Sequence, residues 1–154
     1  MGVLANAGVD VIVIGGLAAQ AHGSARITQD TDFLYSRTRD NIERLTAALL
    51  PYQPYLRGAP PGLPFRFDAR AVQQGLNFTL RTALGDIDLL GEVAGVGNYE
   101  AVLPHAVRLP VFGQEVLVID LPWLIRAKRA AGRPKDLEAI AELEALLAEK
   151  ERGS

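Results

Sequence analysis

Asp30 and Asp32 stand two residues apart in the run Thr-Gln-Asp-Thr-Asp-Phe-Leu-Tyr at positions 28–35. In an extended strand that spacing puts both carboxylates on one face, roughly 7 Å apart at the Cα level given a rise of ~3.3 Å per residue. Asp86 and Asp88 repeat the pattern. If the two strands lie side by side, three carboxylates converge on one site. With water, such an oxygen-rich set suits a hard cation such as Mg²⁺. The matching chemistry is phosphoryl or nucleotidyl transfer, in which metal ions clamp the attacking and leaving oxygens and a carboxylate can take the proton of the attacking hydroxyl. The structural alternative is an Asp-x-Asp that only solvates a strand end or caps a helix.

The chain of 154 residues has the length of one domain, and residues 1–154 are read as one. Nearly half the residues are apolar (49%) and the formal net charge is −2, a globular composition without a global basic field. There is no cysteine, so disulfides, thiolate metal sites and cysteine nucleophiles are excluded, and a metal must be held by oxygen or histidine. The apolar run within residues 1–13 lacks a basic leader and is too short to span a bilayer, so a cytoplasmic location is expected.

Several elements must position the carboxylates. Residues 10–14 (Asp-Val-Ile-Val-Ile) form a short β-branched run stopped by Gly15-Gly16, which predicts a buried strand, a tight turn and then a short helix over 17–22. On the strand over 28–35, Asp30, Asp32 and Leu34 share one face, while Thr31, Phe33 and Tyr35 take the other. Ile42, Leu45, Ala48 and Leu49 repeat at helical spacing, and Pro51 closes that helix. Residues 51–64 hold five prolines and two glycines and are expected to form a surface loop or lid. Residues 77–82 and 86–90 predict a hairpin turning at Gly85, and 107–112 with 115–119 predict a second around Gly113. Asp120 suits an N-cap and Pro122 a first turn, for a helix from Leu121 to Ala131 that stops at Gly132. Pro134 starts the last helix, with Leu137, Ile140, Leu143 and Leu147 as its apolar stripe.

A strand, a glycine turn and a helix N-terminus together make an anion site, which strengthens the chemical reading of Asp30 and Asp32. Asp88 lies in the strand body between Ile87 and Leu89, whereas Asp86 follows the turn. Asp88 is therefore preferred as third carboxylate and Asp86 read as a solvated turn residue. Lys128 falls on the apolar side of its helix, so its ammonium should reach inward, toward bound phosphates or toward Asp136 across the inter-helix turn; a snorkelling surface lysine is the alternative. Arg126, Arg129, Arg133 and Lys135 form either a local basic patch or a solvated face. His22 is read as a structural residue at a helix end. Arg26 either pairs with Asp30 or Asp32 or touches a phosphate. Trp123 and Phe112 are assigned to the core.

Gly15-Gly16, His22-Gly23, Arg26-x-Thr28-x-Asp30-x-Asp32 and Gly85-x-Ile-Asp88-Leu-Leu90 together resemble the nucleotidyltransferase superfamily, in particular the small bacterial branch related to AbiEii-type toxins. The similarity continues through Leu124-Ile-Arg-Ala-Lys128 and Gly132-Arg-Pro-Lys-Asp136-Leu137. It implies an α/β (α+β) fold, a mixed β-sheet with helices packed against it. It also implies Asp30 and Asp32 as metal ligands with Asp88 as ligand or base, and Mg²⁺ as cofactor. Gly15 and Gly16 would hold the triphosphate of an NTP, with Arg26 and Thr28 beside them. The implied reaction moves a nucleotidyl group to a hydroxyl of an acceptor such as tRNA, another RNA, a protein or a small molecule, and an antitoxin partner would accompany a toxin. One departure stands out: the superfamily usually carries Gly-Ser where this chain has Gly15-Gly16. A catalytically degenerate module that binds nucleotide or a partner is therefore the alternative.

Overall fold

Val11–Ile14 forms β1, an interior strand of the main sheet, and its β-branched side chains suit a position covered on both faces. The computed structural model describes residues 1–26, 31–60, 62–63 and 65–153. β1 pairs antiparallel with β2 (Thr31–Tyr35) and parallel with the strand that closes the second hairpin, β9 (Gln114–Ile119). Beyond β2, in parallel, lies β5 (Gly85–Leu90), followed antiparallel by β4 (Phe78–Thr82) and the two-residue edge strand β3 (Tyr55–Leu56). β8 (Ala106–Val111) forms the other edge, giving the order β3-β4-β5-β2-β1-β9-β8. A short ribbon of β6 (Glu92–Val93) and β7 (Gly97–Asn98) stands apart from this sheet. The expected mixed sheet with packed helices is the observed fold.

Helices cover both faces. On one side lie α2 (Gly15–Ala21), α6 (Leu121–Ala131) and α7 (Pro134–Arg152). On the other, α1 (Gly2–Asn6) and α3 (Arg39–Leu49) close over Phe33 and Ile87, and α4 (Ala69–Gln74) packs against α3. The one-turn α5 (Tyr99–Val102) leads into β8. Ile12, Phe33, Leu34, Tyr35, Leu45, Leu80, Leu89 and Ile119 are fully buried between these layers. Burying both faces explains why β2 reads as Phe-Leu-Tyr without polar alternation after Asp32.

Where the chain carries explicit start and stop signals, the structure follows them. Asp120 caps α6 by accepting a hydrogen bond from Trp123 N at 2.9 Å, and Gly132 ends it in the left-handed conformation (φ +66°). The second hairpin turns through Phe112 and Gly113, both at positive φ (+50° and +79°), the two-residue geometry that matches strand twist.

Other expectations are corrected. Gly15-Gly16 is not a separate turn before a helix: α2 begins at Gly15 itself, directly after Ile14. Residues 51–64 are not only loop, because β3 lies within them and pairs with β4 through Tyr55↔Arg81 and Leu56↔Leu80. Phe112 is not core; at the hairpin tip it is 78% exposed. In α7, Leu137 faces outward, and the buried stripe runs through Asp136, Ala139, Ile140 and Leu143. Among the described residues no helix is long and apolar enough to cross a membrane.

Candidate functional site

Asp32 and Asp88 are register partners on the parallel strands β2 and β5. Neighbouring strands lie ~4.8 Å apart, and in-register residues of a parallel pair project to the same face, so the side-by-side placement that the sequence left as a condition is met for Asp32 and Asp88. Ile14, the last residue of β1, is the partner of Asp32 on its other side and delivers α2 to the same spot. Asp30 and Thr28 lie outside the described residues.

Gly15 holds φ at +67°, a region that Cβ-bearing residues enter only at a cost. A Cβ there would overlap Asp32 Oδ2 and stand 3.2 Å from its Cγ. Glycine at this position is thus required twice, by the backbone and by the carboxylate that occupies the space of the missing side chain. Gly16 follows within the first turn of α2 and is not among the positive-φ glycines.

The most informative residue that sequence reasoning passed over is Arg57. It follows β3, and its N–H continues the pairing with β4 by donating to Thr79 O at 3.0 Å. Its side chain passes over β4 to β5, where Nη2 lies 2.8 Å from Asp88 Oδ1 and Nε 3.3 Å from Asp86 Oδ2. Nη2 also donates to Leu80 O at 3.1 Å. Asp88 Oδ1 is closed off from solvent and accepts no aligned hydrogen bond among the described residues, so its tie to Arg57 is one of charge. Asp86, read from the sequence as a solvated turn residue, is the second carboxylate of this clamp. Only the Tyr55-Leu56 pair inside a proline-rich stretch signals that Arg57 belongs to the sheet.

On the other side of Asp32 a cleft of about 110 Å³ opens between the sheet and α6, with Gly15, Asp32, Lys128, Arg133 and Asp136 on its wall. Asp136 is 2% exposed and is held by Arg133, whose Nε and Nη2 meet its two oxygens at 2.6 and 3.2 Å. Lys128 Nζ stands 3.8 Å from Asp136 Oδ1 with its side chain 16% exposed, so the inward-reaching lysine and its pairing across the inter-helix turn are both observed. Burial, the largest influence, lowers the Lys128 pKa, while the charges of Asp136 and Asp32 oppose the shift. Burial alone would raise the Asp136 pKa, but the Arg133 hydrogen bonds and the charges of Arg133 and Lys128 outweigh it and hold the carboxyl below its ordinary value. The lysine is therefore a desolvated cation aimed into the cleft that Asp32 shares.

The remaining candidates separate. Arg26 does not hold Asp32: its Nε lies 3.8 Å from Glu142 Oε1 of α7, and Ser24 Oγ donates to the same carboxylate at 2.6 Å. A pairing of Arg26 with Asp30 falls outside the described residues. His22 is buried and structural, as expected. Ile119 O can only accept, so His22 Nε2 carries the proton of that 2.7 Å bond, and Nδ1 accepts from Lys150 Nζ at 3.0 Å. The run of basic residues is divided rather than pooled: Arg133 serves Asp136, Arg129 pairs with Glu144, and Arg126 lies over the Trp123 ring. Trp123 is partly buried and stacks on His105 with ring centroids 3.7 Å apart.

Asp32 and Asp88 are the metal-ligand candidates within the described part of the site. Among the described residues no group of three histidines or carboxylates is placed to hold an ion, and Asp30 lies outside them. Two carboxylates on adjacent strands are donors of the kind a hard divalent cation takes, and one oxygen of Asp88 is already ion-paired with Arg57. No protein-family model matches the chain. No curated protein matches it either, so a functional reading has to be carried by the chemistry of these residues.

Proposed function

We propose that the chain is a Mg²⁺-dependent nucleotidyltransferase that moves a nucleotidyl group from an NTP to a hydroxyl of an RNA, protein or small-molecule acceptor. The observation that carries this reading is the in-register Asp32–Asp88 pair, with Gly15 stripped of a side chain to admit Asp32 and Lys128 facing the same space. A polyanion does not approach two carboxylates unaided. A divalent cation, when bound, supplies the charge neutralisation that lets phosphates and carboxylates share the site. Asp32 and Asp88, with Asp30, would hold it.

In the reaction the acceptor hydroxyl attacks the α-phosphorus. A new P–O bond forms as the bond to the β-phosphate oxygen breaks, and pyrophosphate leaves. A site carboxylate takes the hydroxyl proton, and Lys128 faces the phosphates as a desolvated cation, where its charge counts for more than in water. The cleft of about 110 Å³ is well below the ~300–1,000 Å³ of a typical ligand pocket, so it accommodates phosphate groups, with the base and acceptor lying on the open surface beyond.

The competing reading is a module that binds nucleotide without transfer, and the observation in its favour is the Arg57 ion pair on Asp88. Incubation with Mg²⁺ and each α-labelled NTP, together with total RNA and cell extract, distinguishes the two. Label transfer that is lost in Asp32→Asn and Asp88→Asn supports the enzyme. Saturable nucleotide binding with no transfer to any acceptor favours the module, and absence of both overturns the nucleotide reading.

A further inference from the structure

Arg57 contributes nothing to the reaction just described, yet its guanidinium touches the carboxylate on which that reaction depends. Three anchors fix it: Asp88 Oδ1 at 2.8 Å, Asp86 Oδ2 at 3.3 Å and the carbonyl of Leu80 at 3.1 Å. The arginine and Asp88 side chains are only 26% and 21% exposed, so the pair is better shielded from screening than a surface ion pair. Asp88 is also the register partner of Asp32. Asp88 therefore has a resident cation on its β4 side and, on its other side, the carboxylate with which it would share a divalent ion.

We propose that Arg57 is a positioning residue that competes with a divalent cation for Asp88, so that metal enters only as the guanidinium shifts from Asp88 toward Asp86. The inference rests on the metal-dependent reading of the site. Two features permit the shift. β3, which presents Arg57, is a two-residue edge strand whose pairing with β4 ends one residue on, at the Arg57 N–H, and Gly58 behind it holds φ at +81° with nothing within 4 Å of where its side chain would be. The anchors on Asp86 and Leu80 remain after Asp88 is released, so the arginine is retained near the site while it gives up one oxygen. In the metal-free protein the same contact offsets repulsion between Asp86 and Asp88.

The test measures free Mn²⁺ by its paramagnetic resonance signal during titration of the intact chain, with folding of each variant checked by circular dichroism. Arg57→Gln is expected to bind Mn²⁺ about tenfold more tightly than wild type, an effect between those of exposed and buried ion pairs. Arg57→Lys keeps the charge but loses the fork that spans both carboxylates, and should fall between the two. Asp88→Asn should weaken binding, and Arg57→Gln should have no effect in that background. Mn²⁺ binding that depends on Asp88 but is unchanged or weakened by Arg57→Gln overturns the competition while leaving the metal site standing. Binding indifferent to Asp88→Asn, or no binding by any form, overturns both. Should Arg57→Gln fail to fold, Arg57→Lys decides: affinity equal to or below wild type refutes the proposal.

Discussion

Replacing Gly15 by alanine should damage the protein by two separable routes. The first is the backbone: at φ +67° a Cβ-bearing residue costs about 1–2 kcal/mol. The second is space, because the new methyl would overlap Asp32 Oδ2 and stand 3.2 Å from Asp32 Cγ and 3.3 Å from its Cβ; forcing such contacts typically costs about 1–3 kcal/mol. Restricting the unfolded chain returns about 0.4–1 kcal/mol, leaving a net loss of about 2–4 kcal/mol. Gly8 isolates the first route, since it has nearly the same φ (+69°) but nothing within 4 Å of its missing Cβ. Gly8→Ala should therefore cost only about 0.5–1 kcal/mol. In an Asp32→Ala background, which removes Oδ2 and Cγ, the cost of Gly15→Ala should fall toward that of Gly8→Ala. Urea denaturation of the four single and double variants gives these differences directly. If Gly15→Ala is no more destabilising than Gly8→Ala, or costs the same with and without the Asp32 carboxylate, the claim that Gly15 exists to admit Asp32 is refuted.

Two further outcomes follow from the structure. Burial, reinforced by Lys150 and opposed by the Ile119 hydrogen bond and Asp120, lowers the His22 pKa, so the folded state holds the neutral ring. The unfolded chain takes up a proton first as pH falls through about 6.5, so stability present above that value is lost below it, and His22→Gln should flatten this part of the pH profile of urea midpoints. An unchanged slope in that variant would count against the buried neutral ring. At the hairpin tip, Phe112 is exposed at φ +50°, in a turn position where asparagine before glycine is favoured. Phe112→Asn is expected to stabilise by about 0.5–1 kcal/mol, read as a higher Tm; a lower Tm would show that the ring makes contacts that outweigh its backbone strain.

What the sequence specifies and what the fold specifies divide along the range of the interactions. The start and stop of α6 are legible because Asp120, Pro122 and Gly132 act through hydrogen bonds and dihedral preferences within a few residues of themselves. The two long hairpins were legible for the same reason, and the alternation of Asp30 and Asp32, like that of Asp86 and Asp88, set which carboxylates could share a face. Helix α1, the one-turn α5 and the edge strand β3 were not, since elements of two to five residues carry little periodicity and are held by what they pack against. Phe112 and Leu137 show the same limit in reverse: an apolar side chain does not reveal whether the fold brings anything to cover it. Local pattern alone determined that carboxylates would line a strand and that Lys128 would point inward. Only the tertiary structure decided that Asp32 and Asp88 would stand in register, that Gly15 would make room for one of them, and that Arg57 would hold the other, because each depends on pairing strands distant in the chain.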